Sequence, residues 1–156
     1  MVEAPLESSS PLAAKADLGK RFVAALIDGV LAAVVSFVPV VGGIVAAAYM
    51  LLRDGLEFDF MDRRSIGKKI MKLRPVRDDG APMDMETSVK RNLPLCIGYV
   101  GSIFAIIPIL GWIVAILLGL VGLIVVIIEI VLVITDAEGR RFGDKFGTTK
   151  VIEVVE

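Results

Sequence analysis

The sequence predicts an all-α integral membrane protein with four membrane helices in two hairpins, joined by a cytoplasmic amphipathic linker helix. Three observations lead to this fold class. First, 56% of the 156 residues are hydrophobic, compared with roughly 45–50% in an ordinary soluble domain. Second, the apolar residues are concentrated in two long blocks, 22–52 and 93–135, each containing one acidic residue. Third, every Lys and Arg lies outside those blocks.

The first 17 residues differ in character from the rest. The segment MVEAPLESSSPLAAKAD is polar and contains two prolines and a serine triplet. It has no basic stretch followed by an apolar core, which a cleaved signal peptide would need. We therefore expect residues 1–17 to form a disordered tail, followed by a membrane domain over residues 18–152 and a short tail, 153–156.

Each apolar block is predicted to fold back on itself. About 20 residues cross the hydrocarbon core, so each block is too long for one span. Both blocks also contain a similar break, FVPVVGGIVA and IIPILGWIVA, in which proline ends a helix and glycine permits a turn. The predicted helices are 21–38, 41–53, 93–107 and 112–135. The second reaches only about 20 Å, which leaves a short span and a re-entrant half-helix both open.

The distribution of basic residues predicts the topology. The 17 Lys and Arg lie before the first hairpin, between the hairpins or after the second, and the tips around Pro39 and Pro108 carry no charge. Basic residues stay on the cytoplasmic side. Both termini and the linker 54–92 are therefore expected at the cytoplasmic face of the cell (inner) membrane. Because a four-helix unit is small for a complete transporter, we also expect a homo-oligomer or a place in a larger membrane complex.

The linker contains the segment RRSIGKKIMKLRPV, residues 63–76. Its apolar residues recur at helical spacing with lysines beside them, which is typical of an amphipathic helix lying on an anionic leaflet. Pro75 is expected to end this helix. The residues expected to contact lipid headgroups are Arg63, Arg64, Lys68, Lys69 and Lys72. The final segment, TTKVIEVVE, is consistent with a short strand or a docking segment.

Asp28 is the residue that most needs explaining. An ionised carboxylate in hydrocarbon costs about 2.5–3.5 kcal/mol on insertion scales. Asp28 follows Arg21 by seven residues, so the two share a helix face, with Asp28 about 10 Å deeper. Ala24, Ala25 and Ala32 lie near that face and would allow another helix to approach. Asp28 is expected to face the bundle, neutralised by a shared proton, by Arg21 reaching inward or by a bound cation.

Glu129 mirrors Asp28 in the second block. It precedes Asp136 by seven residues and has Gly122 on its face, at a matching depth. If the two carboxylates meet, repulsion and desolvation favour a bound proton at neutral pH. Two interpretations stay open: an ion or proton site on a transport path, or buried hydrogen-bonded groups that fix helix register or an oligomer contact. For Glu129 the structural interpretation is favoured.

Four segments, in order, resemble the RDD family of multi-spanning membrane proteins over about residues 18–152. They are KRFVAALIDGVL, RRSIGKKIMKLRPV, KRNLP and ITDAEGRRFGDKFGTTKVI. The family is named for an arginine at the start of its first membrane helix, an aspartate within that helix and a second aspartate. The resemblance assigns these to Arg21, Asp28 and Asp144, and Asp136 also matches a family position. Glu129 matches no family motif.

The resemblance implies membrane location and, more generally, transport of unidentified ligands, with monovalent cation/proton antiport linked to some members. Two hypotheses follow. In the first, cations or protons move at a site built on Asp28, with Arg21 as its gate or counter-charge. In the second, the chain is a non-enzymatic membrane adaptor or scaffold. Its charges then only lock the bundle, and its basic linker binds lipid headgroups or a partner protein.

Composition argues against other functions. The chain has no His and a single cysteine, Cys96, so His-based catalysis, His metal sites and intrachain disulfides are excluded. No serine has a neighbouring base, and SIGKK lacks the context of a nucleotide-binding loop. We expect no enzymatic activity, no cofactor and no metal site. Nucleic-acid binding is not expected, because acidic residues are interleaved through the basic linker.

Overall fold

The computed structural model describes residues 15–38, 41–104 and 106–154. Four long helices form a bundle, and the short elements gather at one end of it. We call that end the polar cap, defined as residues 53–77 and 142–153. The elements of the described residues, in chain order, are α1 (Leu18–Ser36), α2 (Gly42–Leu52), α3 (Ile66–Ile70), β1 (Leu73–Arg77), α4 (Met85–Phe104), α5 (Leu110–Thr135), α6 (Phe142–Phe146) and β2 (Thr149–Glu153).

The mostly helical architecture is confirmed, and one helix satisfies the length and composition needed to cross a membrane. α5 has 26 residues, about 39 Å of helix, and is almost entirely apolar apart from Glu129. Trp112 lies half-exposed in its first turn. α2 is a shorter apolar helix of 11 residues. The number of helices that cross the membrane stays a prediction.

The third predicted membrane helix, 93–107, is longer than expected at its N-terminal end. α4 begins at Met85, not at residue 93, and contains Pro94. Asp84 initiates it, because the Asp84 carboxylate accepts a hydrogen bond from the Thr87 N–H at 2.7 Å and its carbonyl accepts from Ser88 N–H at 3.0 Å. Pro94 removes one backbone donor without ending the helix. Eight residues assigned to the linker therefore extend α4 into the polar cap.

The linker helix is shorter than predicted, and the fold is not purely α-helical. α3 has five residues, and the Ser65 hydroxyl caps its N-terminus by accepting from the Lys68 N–H at 3.3 Å. The chain then forms β1, which pairs antiparallel with β2, with Pro75 opposite Val151. Pro75 is tolerated because a two-stranded sheet consists only of edge strands. The strand predicted near the C-terminus is confirmed at Thr149–Glu153.

Two small apolar cores hold these elements together. The bundle core lies between α1, α2 and α4 and contains Ala32, Ala46, Met50 and Cys96. The cap core joins the start of α1 to the sheet through Ala16, Ala24, Leu73 and Val151. The small side chains in both cores let backbones approach closely, as is usual for helices packed in membranes.

The segment just before α1 is part of the folded structure. Residues 1–14 of the expected tail lie outside the described residues, as does Pro39 at the first hairpin tip. Residues 15–17, which we assigned to the tail, pack against the domain instead. Ala16 is buried, the Asp17 carboxylate accepts from the Lys20 N–H at 2.8 Å to cap α1, and the Lys15 ammonium donates to the Asp136 carbonyl at 3.1 Å.

Candidate functional site: a buried charge network

Asp28 is neutralised by an arginine from the next helix. Its side chain is buried within the bundle, and its Oδ2 accepts from Nη1 of Arg53 at 2.9 Å. Its Oδ1 accepts from the Tyr49 hydroxyl and from the Gly67 N–H, both at 2.8 Å. Among the described residues, no hydrogen bond joins Asp28 to Arg21 or to Glu129. Neutralisation by Arg21, one of the three alternatives left open, and a meeting of Asp28 with Glu129 are therefore not what the structure shows.

The backbone of α3 reaches Asp28 because residue 67 is glycine. A Cβ atom at Gly67 would lie 2.1 Å from the carbonyl oxygen of Ala24 in α1, which no side chain can occupy. The absence of a side chain lets the first turn of α3 rest directly on α1. The N–H of Gly67 can then complete the shell of donors around the Asp28 carboxylate. The SIGKK segment therefore has a packing role at this position.

A second acid, Asp54, lies fully buried at the base of the first hairpin. Its two oxygens accept from the Lys68 ammonium at 2.7 and 2.9 Å. They also accept from the Asn92 side-chain amide and the Ser65 N–H, each at 3.2 Å. Nε of Arg91 lies 3.5 Å away. Asp54 therefore connects the end of α2 to both α3 and α4.

Burial and neighbouring charge act differently on the two members of this ion pair. Burial alone would raise the pKa of Asp54, but Lys68, Arg91 and Arg53 hold that pKa below its usual range. Burial lowers the pKa of Lys68 to about 7, with Arg53 and Arg91 adding to the shift and Asp54 and Asp28 opposing it. Because Arg91 and Arg53 stay charged beside it, Asp54 stays ionised even when Lys68 loses its proton.

Asp144, on α6, is the third buried acid and binds three arginines. Its oxygens accept from Arg91 Nη2 at 2.7 Å, from Arg21 Nη2 at 3.1 Å and from Arg141 Nε at 3.2 Å. Burial would raise its pKa, but these three guanidinium groups lower it to about 2. α6 reaches this position because Gly143 has no side chain. A Cβ there would lie 2.0 Å from the Arg91 carbonyl oxygen.

Glu129 serves the same region from α5. Its buried carboxylate accepts from the backbone N–H groups of Phe142 at 2.6 Å and Gly143 at 3.1 Å. These are two of the N–H groups that the first turn of α6 cannot satisfy internally. The contacts agree with the structural interpretation favoured for Glu129.

Asp136 is not part of the buried network. It ends α5 and accepts from the Lys145 ammonium at 2.7 Å and from the Arg140 N–H at 2.9 Å. The Lys145 hydrogen bond, supported by the Arg140 and Glu138 N–H groups, lowers the pKa of Asp136 to about 2. Asp136 therefore organises the loop between α5 and α6.

The buried acids and cations gather at the base of both hairpins, where ion pairs connect Asp54 with Asp144, while Asp28 and Glu129 separately contact the backbones of α3 and α6. Arg91 bridges Asp54 and Asp144, and Arg141 reaches Asn92 at 2.8 Å. Sequence reasoning did not identify the network residues Arg53, Asp54, Arg91, Asn92 and Arg141. A signal was present, since Arg-Asp directly follows the first apolar block and Lys-Arg-Asn directly precedes the second. Hairpins that open to the same side bring such flanking residues together.

Two of the predicted lipid-headgroup contacts are corrected by this arrangement. Arg64 is buried and lies 3.4 Å from the Asp62 carboxylate, and Lys68 is buried against Asp54. Of the remaining three, Arg63 forms an ion pair with Glu57, and the Lys69 ammonium donates to the Asp59 carbonyl at 3.4 Å. Lys72 is exposed. The basic residues of the linker mostly serve the polar cap itself.

The described residues show no group suited to a metal ion or to an open ligand site within the network. No cluster of three or more His, Cys, Asp or Glu in the described ranges is arranged to hold a metal. Two open surface cavities lie beside the loop 55–63, and both are lined by Glu57 and Phe58. Neither is lined by Asp28, Asp54 or Asp144.

An apolar helix of membrane-spanning length and a buried charge network at one end of the bundle define a small membrane protein. The family model of the RDD family matches residues 40–148, which is more than half of the chain, and the chain belongs to that family. The match begins after α1, so Arg21 and Asp28 lie outside it while Asp136 and Asp144 lie inside. Comparison with curated proteins and comparison with solved structures each give no match.

Proposed function

We propose that the chain is a non-enzymatic membrane scaffold or adaptor, inserted as a multi-pass protein in the cell membrane with its polar cap in the cytoplasm. The observation that carries this proposal is that the oxygens of the buried carboxylates are already occupied by donors of the protein itself. Asp28, Asp54, Asp144 and Glu129 each accept at least two hydrogen bonds from other elements. Asp28, Asp54 and Asp144 therefore connect elements that are distant in sequence, and Glu129 joins α5 to α6, the next element along the chain.

Carboxylates occupied in this way are better suited to holding the fold than to carrying a cation. A cation arriving at Asp28 would have to displace the Arg53 guanidinium and the Tyr49 hydroxyl, which already occupy its oxygens. Removing one member of a buried ion pair typically costs about 3–5 kcal/mol, because the remaining charge is left unpaired. The network thus fixes how the two hairpins of the chain meet. This structural role of the buried charges supports a scaffold over an ion path.

The orientation is supported by the location of the cations. All ten Lys and Arg between the two apolar blocks fall in the polar cap or in the first turns of α4. Basic residues at the ends of membrane helices favour the cytoplasmic side. The exposed apolar surface of α5 supports burial in lipid, in a homo-oligomer or in a larger membrane complex.

Transport of protons or monovalent cations is the second candidate. It is favoured by Lys68, whose pKa of about 7 allows it to exchange a proton under physiological conditions. Loss of that proton removes one cation from Asp54 and weakens the link between α3 and α4. Ionisable groups inside a membrane protein commonly mark a proton or ion path.

Flux measurements separate the two candidates. Purified protein in proteoliposomes, under a pH gradient with sodium or potassium present, is expected to move no more ions or protons than empty vesicles. A saturable flux that disappears in Asp28→Asn and changes its pH dependence in Lys68→Met would instead establish transport. Lys90→Met, which removes a lysine paired with Glu86 at the surface, is the matched control. Gel filtration and circular dichroism establish that each variant is folded.

A further inference from the structure

The start of α6 is attached beside the last turns of α5. The N–H groups of Phe142 and Gly143 both bind the carboxylate of Glu129. Glu129 lies six residues before Thr135, the last residue of α5, so this attachment is about 9 Å up the helix from its end. α6 therefore lies alongside the last turns of α5 and not beyond its C-terminal end.

α6 has one polar, buried face and one apolar, exposed face. Gly143, Asp144 and Gly147 are buried against the bundle. Phe142 and Phe146 point the other way, each 54% exposed, with their rings stacked at a centroid separation of 6.4 Å. Exposed aromatic pairs of this size are costly in water and are favoured at a membrane interface.

The surroundings of this pair indicate where the bilayer surface lies. α5 is exposed and apolar over the same stretch, at Ile130, Val131 and Ile134. Asp136, the first charged residue after α5, forms a partly exposed ion pair with Lys145 of α6. The two phenylalanines thus lie between an apolar surface and a polar boundary, which is the position of an interfacial helix.

We propose that Phe142 and Phe146 form a lipid anchor that inserts α6 into the headgroup–acyl boundary of the inner leaflet. This inference rests on the membrane orientation of the proposed function. It moves the lipid contact of the cap from the basic linker, where Arg64 and Lys68 are buried, to an aromatic pair on α6. Because α6 also carries Asp144, the anchor fixes the acid that binds Arg21, Arg91 and Arg141.

A lipid occupant fits this surface better than a second protein copy. The apolar face of α6 consists of only two side chains, which is too small a patch for a stable protein interface. The surface of α5 is apolar like this face of α6, and it is exposed along most of its length. A bilayer covers both surfaces at once, whereas a partner would need to match each separately.

Tryptophan fluorescence tests the anchor, because the chain has a single Trp. The probe is Trp112→Phe with Phe146→Trp, reconstituted in vesicles of phosphatidylglycerol and phosphatidylcholine. We expect blue-shifted emission, quenching by bromines placed near the headgroup end of the acyl chain, weaker quenching by bromines at the chain terminus, and protection from iodide. Trp112→Phe with Pro82→Trp is the matched aqueous control, since Pro82 is exposed in the turn preceding α4.

The outcomes are distinct. Iodide quenching equal to that of the Pro82→Trp control, without bromine quenching, overturns the anchor. Protection from both quenchers also overturns it and indicates a protein contact. Phe142→Trp in the same background is the second probe should Phe146→Trp fail to fold. If brominated lipids also fail to quench Trp112 in the wild type, the membrane orientation itself is wrong. If they fail to quench only the α6 probes, the scaffold proposal stands without the anchor.

Discussion

Asp28 and Arg53 show how a charge is accommodated inside this bundle. Both side chains are almost fully buried, and Asp28 without Arg53 would keep the neutral donors Tyr49 and Gly67 but lose its counter-charge. Arg53 has one other hydrogen-bond contact, with the Met50 sulfur at 3.4 Å, and its Nε has no partner among the described residues. The two charges therefore depend on each other strongly.

Breaking this pair is expected to destabilise the protein more than replacing it. Asp28→Asn leaves Arg53 buried without a counter-charge, and we expect a loss of about 3–5 kcal/mol in unfolding free energy. The double variant Asp28→Leu with Arg53→Met should recover a large part of that loss. Denaturant unfolding of Asp28→Leu, Arg53→Met and their double variant in detergent micelles, analysed as a double-mutant cycle, measures the coupling. Additive effects of the two single substitutions would show that the pair is not coupled.

Lys68 gives the stability a pH dependence of defined sign. Its pKa is about 7 in the fold, against 10.5 when unperturbed, so between these values the unfolded chain holds a proton that the folded chain has released. Stability therefore rises with pH in this window, by at most about 1.4 kcal/mol per pH unit. Unfolding curves between about pH 7 and 9 measure the slope.

Matched lysine variants identify the source of that slope. Lys68→Met should flatten the dependence, because the titrating group is gone. Lys90→Met should retain the wild-type slope, since its ammonium is exposed and paired with Glu86 at the surface. Parallel curves for the wild type and Lys68→Met would contradict a shifted lysine.

At the residue scale, the sequence predicts which groups are special better than it predicts their partners. Helical periodicity places Asp28 on an inward face, and the structure agrees. The partner of Arg21 lies 123 residues away at Asp144, a separation that no local pattern reports. Choosing Arg53 over Arg21 for Asp28 requires knowing how the first hairpin closes, which is a property of packing.

At the scale of elements, the contact of α3 with α1 depends on one missing side chain. Gly67 places its backbone against Ala24 and donates to Asp28. α3 is far too short to be stable alone, so this contact and the Ser65 cap determine whether it forms. The same device recurs where Gly143 brings α6 against α4.

Two glycine-to-alanine substitutions should behave in opposite ways. Gly67→Ala places a methyl group 2.1 Å from the Ala24 carbonyl oxygen, which must push α3 away and break its bond to Asp28. We expect a loss of about 1–3 kcal/mol or more. Gly29 lies on α1, the helix that Gly67 contacts. The methyl group of Gly29→Ala would meet no atom within 4 Å, so this substitution should be neutral or stabilise the protein by up to about 1 kcal/mol. Thermal unfolding of both variants compares them directly, and equal destabilisation would contradict the predicted contact.

Element boundaries show where local rules compete. A membrane helix was predicted to begin at residue 93, but Asp84 starts α4 nine residues earlier and Pro94 lies inside the helix. The linker pattern of Ile66, Ile70 and Leu73 fits a helix, yet Leu73 belongs to β1. Pairing with β2 supplies the backbone hydrogen bonds of β1. A continued α3 would have lost one of its own hydrogen bonds at Pro75, which has no backbone N–H. A partner strand 76 residues away cannot be read from the local pattern.

At the scale of the whole molecule, both hairpins open toward the polar cap. Their bases contribute Asp54 and Arg91, which meet each other, while their tips carry no charged residue. The general architecture, mostly helical with charges at one end, follows from the sequence because the apolar blocks and basic residues are cleanly separated. The sheet and the network depend on contacts between chain ends, so the sequence alone did not predict them.

Cysteine labelling tests the topology of the hairpins. With Cys96→Ser as background, Ala81→Cys in the turn before α4 should react only with reagent on the cytoplasmic side. Leu110→Cys, at the exposed tip that begins α5, should react only with reagent on the outer side if the second hairpin spans the bilayer. Protection of residue 110 from both sides would indicate a re-entrant hairpin. Outer labelling of residue 81 would contradict the orientation.

The distances along the chain between ion partners have a consequence for biosynthesis. When α1 leaves the ribosome, Asp28 must await Arg53, which is synthesised 25 residues later, and Arg21 must await Asp144, which comes 123 residues later. β2, which closes the cap by pairing Glu153 with Lys20, emerges last of all the elements. During translation, α1 therefore holds an uncompensated carboxylate and an uncompensated guanidinium until the segments that pair with them have been synthesised.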